Sequence, residues 1–248
     1  MPERLVPSVA VLKSGPCSGG LDRFGLPAVG PHAAANYDFV LVCTDDKLVL
    51  RQNMDPRLGP TFVDLRPARA RSYPVPKGGA FATAIGRRNK FVVDATAGLG
   101  KDMLTLFAMG YRVLGVERSP VVAALLQDGL RRLQNEPCIT QPGLTPPNLY
   151  FGDARAVLET LQEPPDCVYL DPMFPSKSKR SALARRDLRA LREIVGADDD
   201  APTLFGMALQ VVRNRIVVKR ADDAPPLMAG PDSVYKTHTV RYDVYLKR

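Results

Sequence analysis

The stretch F-V-V-D-A-T-A-G-L-G-K-D, from Phe91 to Asp102, constrains this chain more than any other. An apolar, β-branched run ends at an acid, Asp94, and passes through a small-residue loop with Gly98 and Gly100. It then opens onto the apolar-periodic segment Met103 to Met109. Branched residues favour a strand, glycines a tight turn and a helical apolar period a helix, so the stretch predicts strand, loop, helix. Such a unit sets backbone N–H groups and the positive end of a helix dipole beside a carboxylate. That arrangement suits a small molecule carrying charges of both signs.

The pattern repeats downstream. Gly110 stands where a helix C′ glycine belongs, and Tyr111 to Val116 is the next strand, ending at Glu117-Arg118. Ser119 and Pro120 supply an N-cap and a first-turn proline for a helix to about Leu133. After the polar excursion Gln134 to Pro147 come a strand (Asn148 to Phe151), Gly152-Asp153, a helix (Ala154 to Leu161) and a fourth strand (Cys167 to Leu170). Strands alternating with helices at this spacing imply a mostly parallel α/β sheet covered on both faces. Arg215 to Val218 adds a strand, and Tyr235 to Tyr245 reads as two strands with no helix between them. That terminal antiparallel hairpin separates methyltransferase-like sheets from ordinary dinucleotide folds.

Before this region the chain reads differently. Tyr37 to Cys43 and Lys47 to Arg51, joined by Thr44-Asp45-Asp46, suggest a hairpin, Thr61 to Leu65 a further strand, and Ser14 to Pro31 a loop. Arg66 to Gly79, with three close arginines, prolines and Tyr73, reads as a basic linker, either simply solvated or touching RNA. Ala80 to Ile85 forms a short helix. The expected division is a small β-rich N-terminal subdomain with its linker over 1–75 and the main domain over 76–248, which 248 residues can accommodate.

The net charge of +8 and pI near 9.5 favour a polyanionic partner without saying which. The four cysteines lack any C-x-x-C pair and only two histidines accompany them, so no metal site is expected. Cys43 and Cys167, in strand-like runs, read as buried free thiols. No apolar run is long enough for a signal h-region or a membrane span, so a soluble cytoplasmic protein without membrane contact is expected.

Ligands of doubly wound sheets bind beyond the carboxyl ends of the strands, so the residues just after each strand belong together. They are acids: Asp94, Glu117, Asp153 and Asp171. One acid there is routine loop chemistry; four in succession suit S-adenosylmethionine. Its amino group wants a carboxylate, its carboxylate a helix N-terminus, its ribose diol an acid and its adenine a polar edge. Glu117 with Arg118 is placed for the ribose, Asp153-Ala154 for the adenine, and Lys101-Asp102 for the methionine end. A nicotinamide dinucleotide is the competing ligand, but A-G-L-G-K-D lacks the third glycine of G-x-G-x-x-G.

Asp171-Pro172-Met173-Phe174-Pro175 follows the fourth strand and resembles the D-P-P-Y or N-P-P-Y motif of enzymes that methylate exocyclic amines of bases. An aromatic amine is a poor nucleophile because its lone pair is delocalised into the ring. Hydrogen bonds from its N–H groups to the Asp171 side chain and the Pro172 carbonyl localise that pair, while Phe174 stacks on the base. The segment Ser176 to Arg192 carries a leucine stripe and Lys177, Lys179, Arg180, Arg185, Arg186 and Arg189, either a solvated face or a phosphate-binding wall beside the pocket.

Taken together, D-A-T-A-G-L-G-K-D, V-E-R-S-P-V-V-A-A-L-L-x-D-G-L, and V-Y-L-D-P-M-F-P followed by K-S-K-R-S-A-L resemble the RsmJ family of bacterial small-subunit rRNA guanine-N2 methyltransferases. The resemblance runs from about Lys77 through Gly196, with a looser match in the C-terminal strands. It implies a Rossmann-like class I methyltransferase sheet with a small N-terminal extension, acting in the cytoplasm on 16S rRNA or the small ribosomal subunit. Family cofactor positions carry over to Lys101, Asp102, Glu117, Arg118, Asp153, Ala154 and Asp171; Asp94 and Gly98 join them from the loop reading. Asp153-Ala154 departs from the two serines that relatives can carry. Two alternatives stand beside this: an amino-methyltransferase acting on tRNA guanine or DNA adenine, and a noncatalytic RNA-binding protein on the same scaffold.

Overall fold

The computed structural model describes residues 7–12, 20–53, 59–66, 77–136, 139, 145–173, 194–196 and 198–248. Its larger sheet contains seven strands. β5 (Phe91–Asp94), β6 (Arg112–Glu117), β7 (Asn148–Phe151), β8 (Cys167–Leu170) and β9 (Arg215–Ala221) run parallel, and β10 (Ser233–Lys236) and β11 (Val240–Leu246) close the sheet as an antiparallel hairpin. The order β10-β11-β9-β8-β5-β6-β7 places the reversal of winding between β5 and β8. The alternating segments and the terminal hairpin are thus as the sequence predicts, and β9 extends three residues past the expected Val218.

Every residue of β5 and β8 is buried, because helices cover both faces and a buried parallel strand has no polar side. On one face lie α2 (Gly79–Ile85), α3 (Lys101–Ala108) and α4 (Pro120–Gln134); on the other, α5 (Ala154–Thr160) and α6 (Ala201–Val211). Successive residues of a strand serve opposite faces, so Val92 joins the first core and Val93 the second. Ser119 caps α4 by accepting from the Val122 N–H at 3.5 Å, and Asp153 caps α5 through the Arg155 N–H at 2.8 Å. Such caps typically contribute about 1 kcal/mol each.

The smaller sheet has the order β2-β1-β3-β4, built from β1 (Val9–Leu12), β2 (Ala28–Val29), β3 (Phe39–Cys43) and β4 (Leu48–Gln52), with the single-turn helix α1 (Pro31–Ala34) between β2 and β3. β3 and β4 form the expected hairpin, whereas β1 pairs in parallel with both β2 and β3, a pairing no local pattern announces. Within Ser14 to Pro31, expected as loop, the described part contains the 3-10 turn Leu21–Phe24 and β2. The expected strand Thr61 to Leu65 reduces to a single bridge between Thr61 and Leu50, because Val63 and Leu65 turn into the core.

α4 is shared between the two sheets. Its Asp128, buried among apolar neighbours, accepts from the Leu48 N–H at 3.0 Å and pairs with Arg132 at 3.0 Å, which satisfies its charge. Val11, Leu41 and Leu48 of the small sheet consequently belong to the same core as Val92, Tyr169 and Val217. Cys167 is a buried free thiol, as its strand position predicts. Cys43 is instead disulfide-bonded, a correction to the free-thiol expectation. Bridging depends on two Cβ atoms lying about 4 Å apart, which sequence spacing does not reveal.

Candidate active site

A cleft of about 360 Å3 opens at the carboxyl ends of β5 to β8, over the reversal point of the sheet. Asp94, Gly98, Lys101, Asp102, Glu117, Arg118, Asp153, Ala154, Asp171 and Pro172, predicted from loops spread over nearly eighty residues, all line it. Phe174 and the basic residues Lys177, Lys179, Arg180, Arg185, Arg186 and Arg189 lie outside the described residues.

The loop after β5 turns through Gly98 at φ 53° and Gly100 at φ 77°, the left-handed region that side chains rarely tolerate. A Cβ on Gly100 would sit 2.5 Å from Leu126 Cδ1, so α3 begins against α4 only because this residue has no side chain. The loop spends more of its amides internally than the sequence suggests. Ala97 N–H donates to the Val116 carbonyl, Gly100 N–H to the Ala97 carbonyl, and Gly98 N–H to Glu117 Oε2 at 2.9 Å.

Glu117 therefore ties the first loop to the second. Its Oε1 accepts from the Ser119 N–H at 2.7 Å, so each oxygen takes one backbone donor and keeps lone-pair capacity for another. Burial raises its pKa, partly offset by these two N–H donors. Asp94, only 1% exposed, is pushed well above the usual carboxylate range by burial and then by the Asp102 charge, against one backbone bond from Thr96.

A second cluster sits on the other side of the reversal point. Lys219 Nζ, on β9, lies 2.8 Å from Asp102 Oδ2 and 2.9 Å from Asp171 Oδ2, and the Tyr169 hydroxyl donates to Asp102 Oδ2 at 2.6 Å. The Asp171 N–H donates to Thr96 Oγ1 at 2.7 Å, which locks the fourth loop onto the first. Burial lifts the Asp171 pKa and Lys219 opposes that rise. For Lys219, burial works against the charge, but Asp171 and Asp102 outweigh it and raise its pKa.

Arg118 does not extend freely into the cleft. It pairs with Asp198 and with Asp200 just before α6, while Arg155 pairs with Asp153 and reaches Asp200 at 3.5 Å. Asp198 also accepts the Met173 N–H at 2.6 Å. Sequence reasoning missed Asp198, Asp200, Tyr169 and Lys219. The acids of Asp198-Asp199-Asp200 before Ala201-Pro202 carry a helix-start signature that would have flagged the first two. Lys219 was one residue beyond the expected strand end.

Among the described residues no group of His, Cys, Asp and Glu is arranged to hold a metal ion, and no helix is long and apolar enough to cross a membrane. The family model described as "Putative SAM-dependent methyltransferase" matches residues 22–247. A protein from Pectobacterium atrosepticum named Ribosomal RNA small subunit methyltransferase J is 42% identical over 240 residues, covering 94% of each chain. A protein of the same name from Shewanella amazonensis is 41% identical, over 86% of this chain and 88% of the other. The crystal structure of a SAM-dependent methyltransferase from Neisseria gonorrhoeae superposes with a TM-score of 0.74 at 28% identity, covering 97% of this chain and 96% of that one. With its cleft at the reversal point of a class I sheet and relatives matched over most of its length, this chain belongs to the S-adenosylmethionine-dependent methyltransferase family of Ribosomal RNA small subunit methyltransferase J.

Proposed function

We propose that this chain transfers a methyl group from S-adenosylmethionine to the exocyclic N2 amine of a guanine in 16S ribosomal RNA. The observation that carries the reading is the seating of Asp171-Pro172 at the reversal point of the sheet, in one cleft with Asp94, Asp102 and Glu117. The names of its relatives favour ribosomal RNA of the small subunit as the acceptor.

The donor set fits the cofactor. Glu117 has lone pairs left for a ribose diol, and Asp94 and Asp102 flank the start of α3, where a carboxylate and an ammonium group can both be met. Lys101 and Gly98 border the same end, and Asp153-Ala154 the adenine end. Arg118 acts indirectly, by holding Asp198 and Asp200 at the cleft wall. When bound, S-adenosylmethionine supplies a methyl group on a sulfonium centre, whose C–S electrons stay with sulfur as the N–C bond forms. Asp171 and the Pro172 carbonyl accept the amine N–H groups, localise the nitrogen lone pair and aim it. The proton that the nitrogen sheds passes to the Asp171 carboxylate and on to solvent. Phe174 is assigned the stacking role, and Lys177, Lys179, Arg180, Arg185, Arg186 and Arg189 the RNA phosphates, in keeping with the +8 charge. Residues 1–75 are assigned as a small β-rich unit with a basic linker and 76–248 as the catalytic domain, since β1 to β4 form a sheet of their own. With its substrate, the enzyme is assigned to the cytoplasm.

Mass mapping of methylated nucleotides in rRNA from cells with and without this chain tests reaction, base and substrate together. One N2-methylguanine missing from 16S rRNA, restored by the wild type and not by Asp171→Ala, is the expected result. A missing mark in tRNA or DNA, or none at all, would overturn the reading.

A further inference from the structure

Lys219 occupies a position that the proposed reaction does not yet explain. In the parallel register Leu170 pairs with Val218, so Lys219 stands one step beyond the paired ends, level with Asp171. Its ammonium reaches two carboxylates from different loops, Asp102 in the first turn of α3 and Asp171 after β8, at 2.8 and 2.9 Å. The same Asp102 oxygen takes the Tyr169 hydroxyl.

Three carboxylates, Asp94, Asp102 and Asp171, share this small volume. Like charges so placed cannot all stay ionised without a cation between them, and the usual outcome is that one retains a proton. A protonated Asp171 would present an O–H donor where the acceptor amine also presents donors. The bond from Lys219 falls on Oδ2 of Asp171, which leaves the other oxygen, Oδ1, available to a ligand.

We infer that Lys219 is a positioning residue for methyl transfer: by bridging Asp102 and Asp171 it sets a cation between their carboxylates and fixes the free oxygen of Asp171 for the acceptor amine. The inference rests on the reaction proposed above. Burial alone pushes the Asp171 carboxyl up, and Lys219 is the leading influence that brings it down. The other groups that bear on this pair are Asp94 on β5, Asp102 on α3, Tyr169 on β8, Arg220 on β9, Tyr242 on β11 and Asp198 before α6. The acids and tyrosines cannot replace the lost positive charge, and Arg220 donates from Nε to the Pro225 carbonyl.

The test uses the full chain with small subunits, or 16S rRNA, from cells lacking it. Lys219→Met keeps the aliphatic stem without the charge, Lys219→Gln keeps a hydrogen-bond donor without the charge, and Lys219→Arg keeps the charge. Thermal melting identifies the variants that fold. In Met and Gln variants, kcat is expected to fall on the order of 10- to 100-fold, as for a misplaced catalytic group, with KM for the RNA within about threefold. The acidic limb of the kcat–pH profile should move to higher pH, because Asp171 keeps its proton longer, by about one unit or more for loss of a contacting opposite charge. Arg should restore kcat to within about tenfold, with the limb at its wild-type position. If Met fails to fold, Gln carries the comparison; if both fail, the Arg variant carries it, and an Arg variant that folds but is inactive overturns the inference. Wild-type kcat without the charge, or a loss of kcat with an unmoved pH limb, would equally overturn it. A wild-type chain that methylates neither substrate would instead sink the underlying function, so the two failures are distinguishable.

Discussion

Arg118 Nη1 lies 2.9 Å from each carboxylate oxygen of Asp200, a three-centre pair in the cleft lining between residues eighty-two positions apart. The same guanidinium holds Asp198, which receives the Met173 N–H and returns its own N–H to the Met173 carbonyl at 3.1 Å. The loop that ends β6 is thereby connected to the loop that carries Asp171.

Arg118→Met should consequently damage the site more than the fold. The pairs are over a third exposed on the arginine side, so solvent screening limits their stabilisation to about 1 kcal/mol or less. Affinity for S-adenosylmethionine, however, should fall on the order of tenfold as Asp198 and Asp200 lose their shared cation. Calorimetric titration beside urea unfolding separates the two effects. Undiminished affinity would mean that the clasp does not shape the cleft.

Glu117→Gln tests the stitch between the first two loops. A glutamine can keep one carbonyl acceptor but must turn an NH2 donor toward either the Gly98 or the Ser119 N–H. Two donors facing each other at a buried position cost about 1–3 kcal/mol. Cofactor affinity should drop at least tenfold while Asp171 chemistry, measured as kcat at saturating cofactor, stays within a few-fold. A variant that binds normally would remove Glu117 from the site.

The parts of this molecule that were legible in the sequence are those fixed by local chemistry. Val92 and Val93 are β-branched, Gly98 and Gly100 admit positive φ, Ser119-Pro120 caps a helix, and each acid after a strand ends up in one cleft because a parallel sheet gathers its carboxyl ends. What was not legible depends on partners far away in the chain. Lys219 acquires meaning only beside Asp102 and Asp171, and the parallel pairing of β1 with β3 is set by the core shared through α4. Thr61 to Leu65 has a strand's composition, yet Val63 and Leu65 are better used in filling the space against α4 than in extending a ladder.

Gly100→Ala addresses how tightly α3 is set against α4. At φ 77° an alanine is strained, and its Cβ would meet Leu126 Cδ1 at 2.5 Å with Leu65 Cδ2 behind it at 3.5 Å. Backbone strain and overpacking each cost about 1–3 kcal/mol, so a loss of about 2–5 kcal/mol is expected. Chemical denaturation reads it as a lower midpoint at unchanged slope. A loss below about 1 kcal/mol would show that the helices can part at no cost.

Asp94→Asn should make the protein more stable and the enzyme worse. The Asp94 carboxyl is buried, with Asp102 as the next influence, and its pKa in the folded chain is raised well above its ordinary value of 3.8. Between those two values the folded state holds a proton that the unfolded chain has released, so wild-type stability declines as pH rises through this window. An asparagine escapes that penalty and retains an oxygen for the Thr96 N–H. The variant should match wild type near pH 4 and exceed it at pH 8, by about 1.4 kcal/mol for each unit of elevation. At the same time, removing a carboxylate from the end of β5 should weaken cofactor binding, because an amide cannot answer an ammonium group with a charge. Urea melts at the two pH values, with titration at the higher one, decide the matter. A variant no more stable than wild type at pH 8 would mean that Asp94 is ionised at little cost and that burial does not govern it.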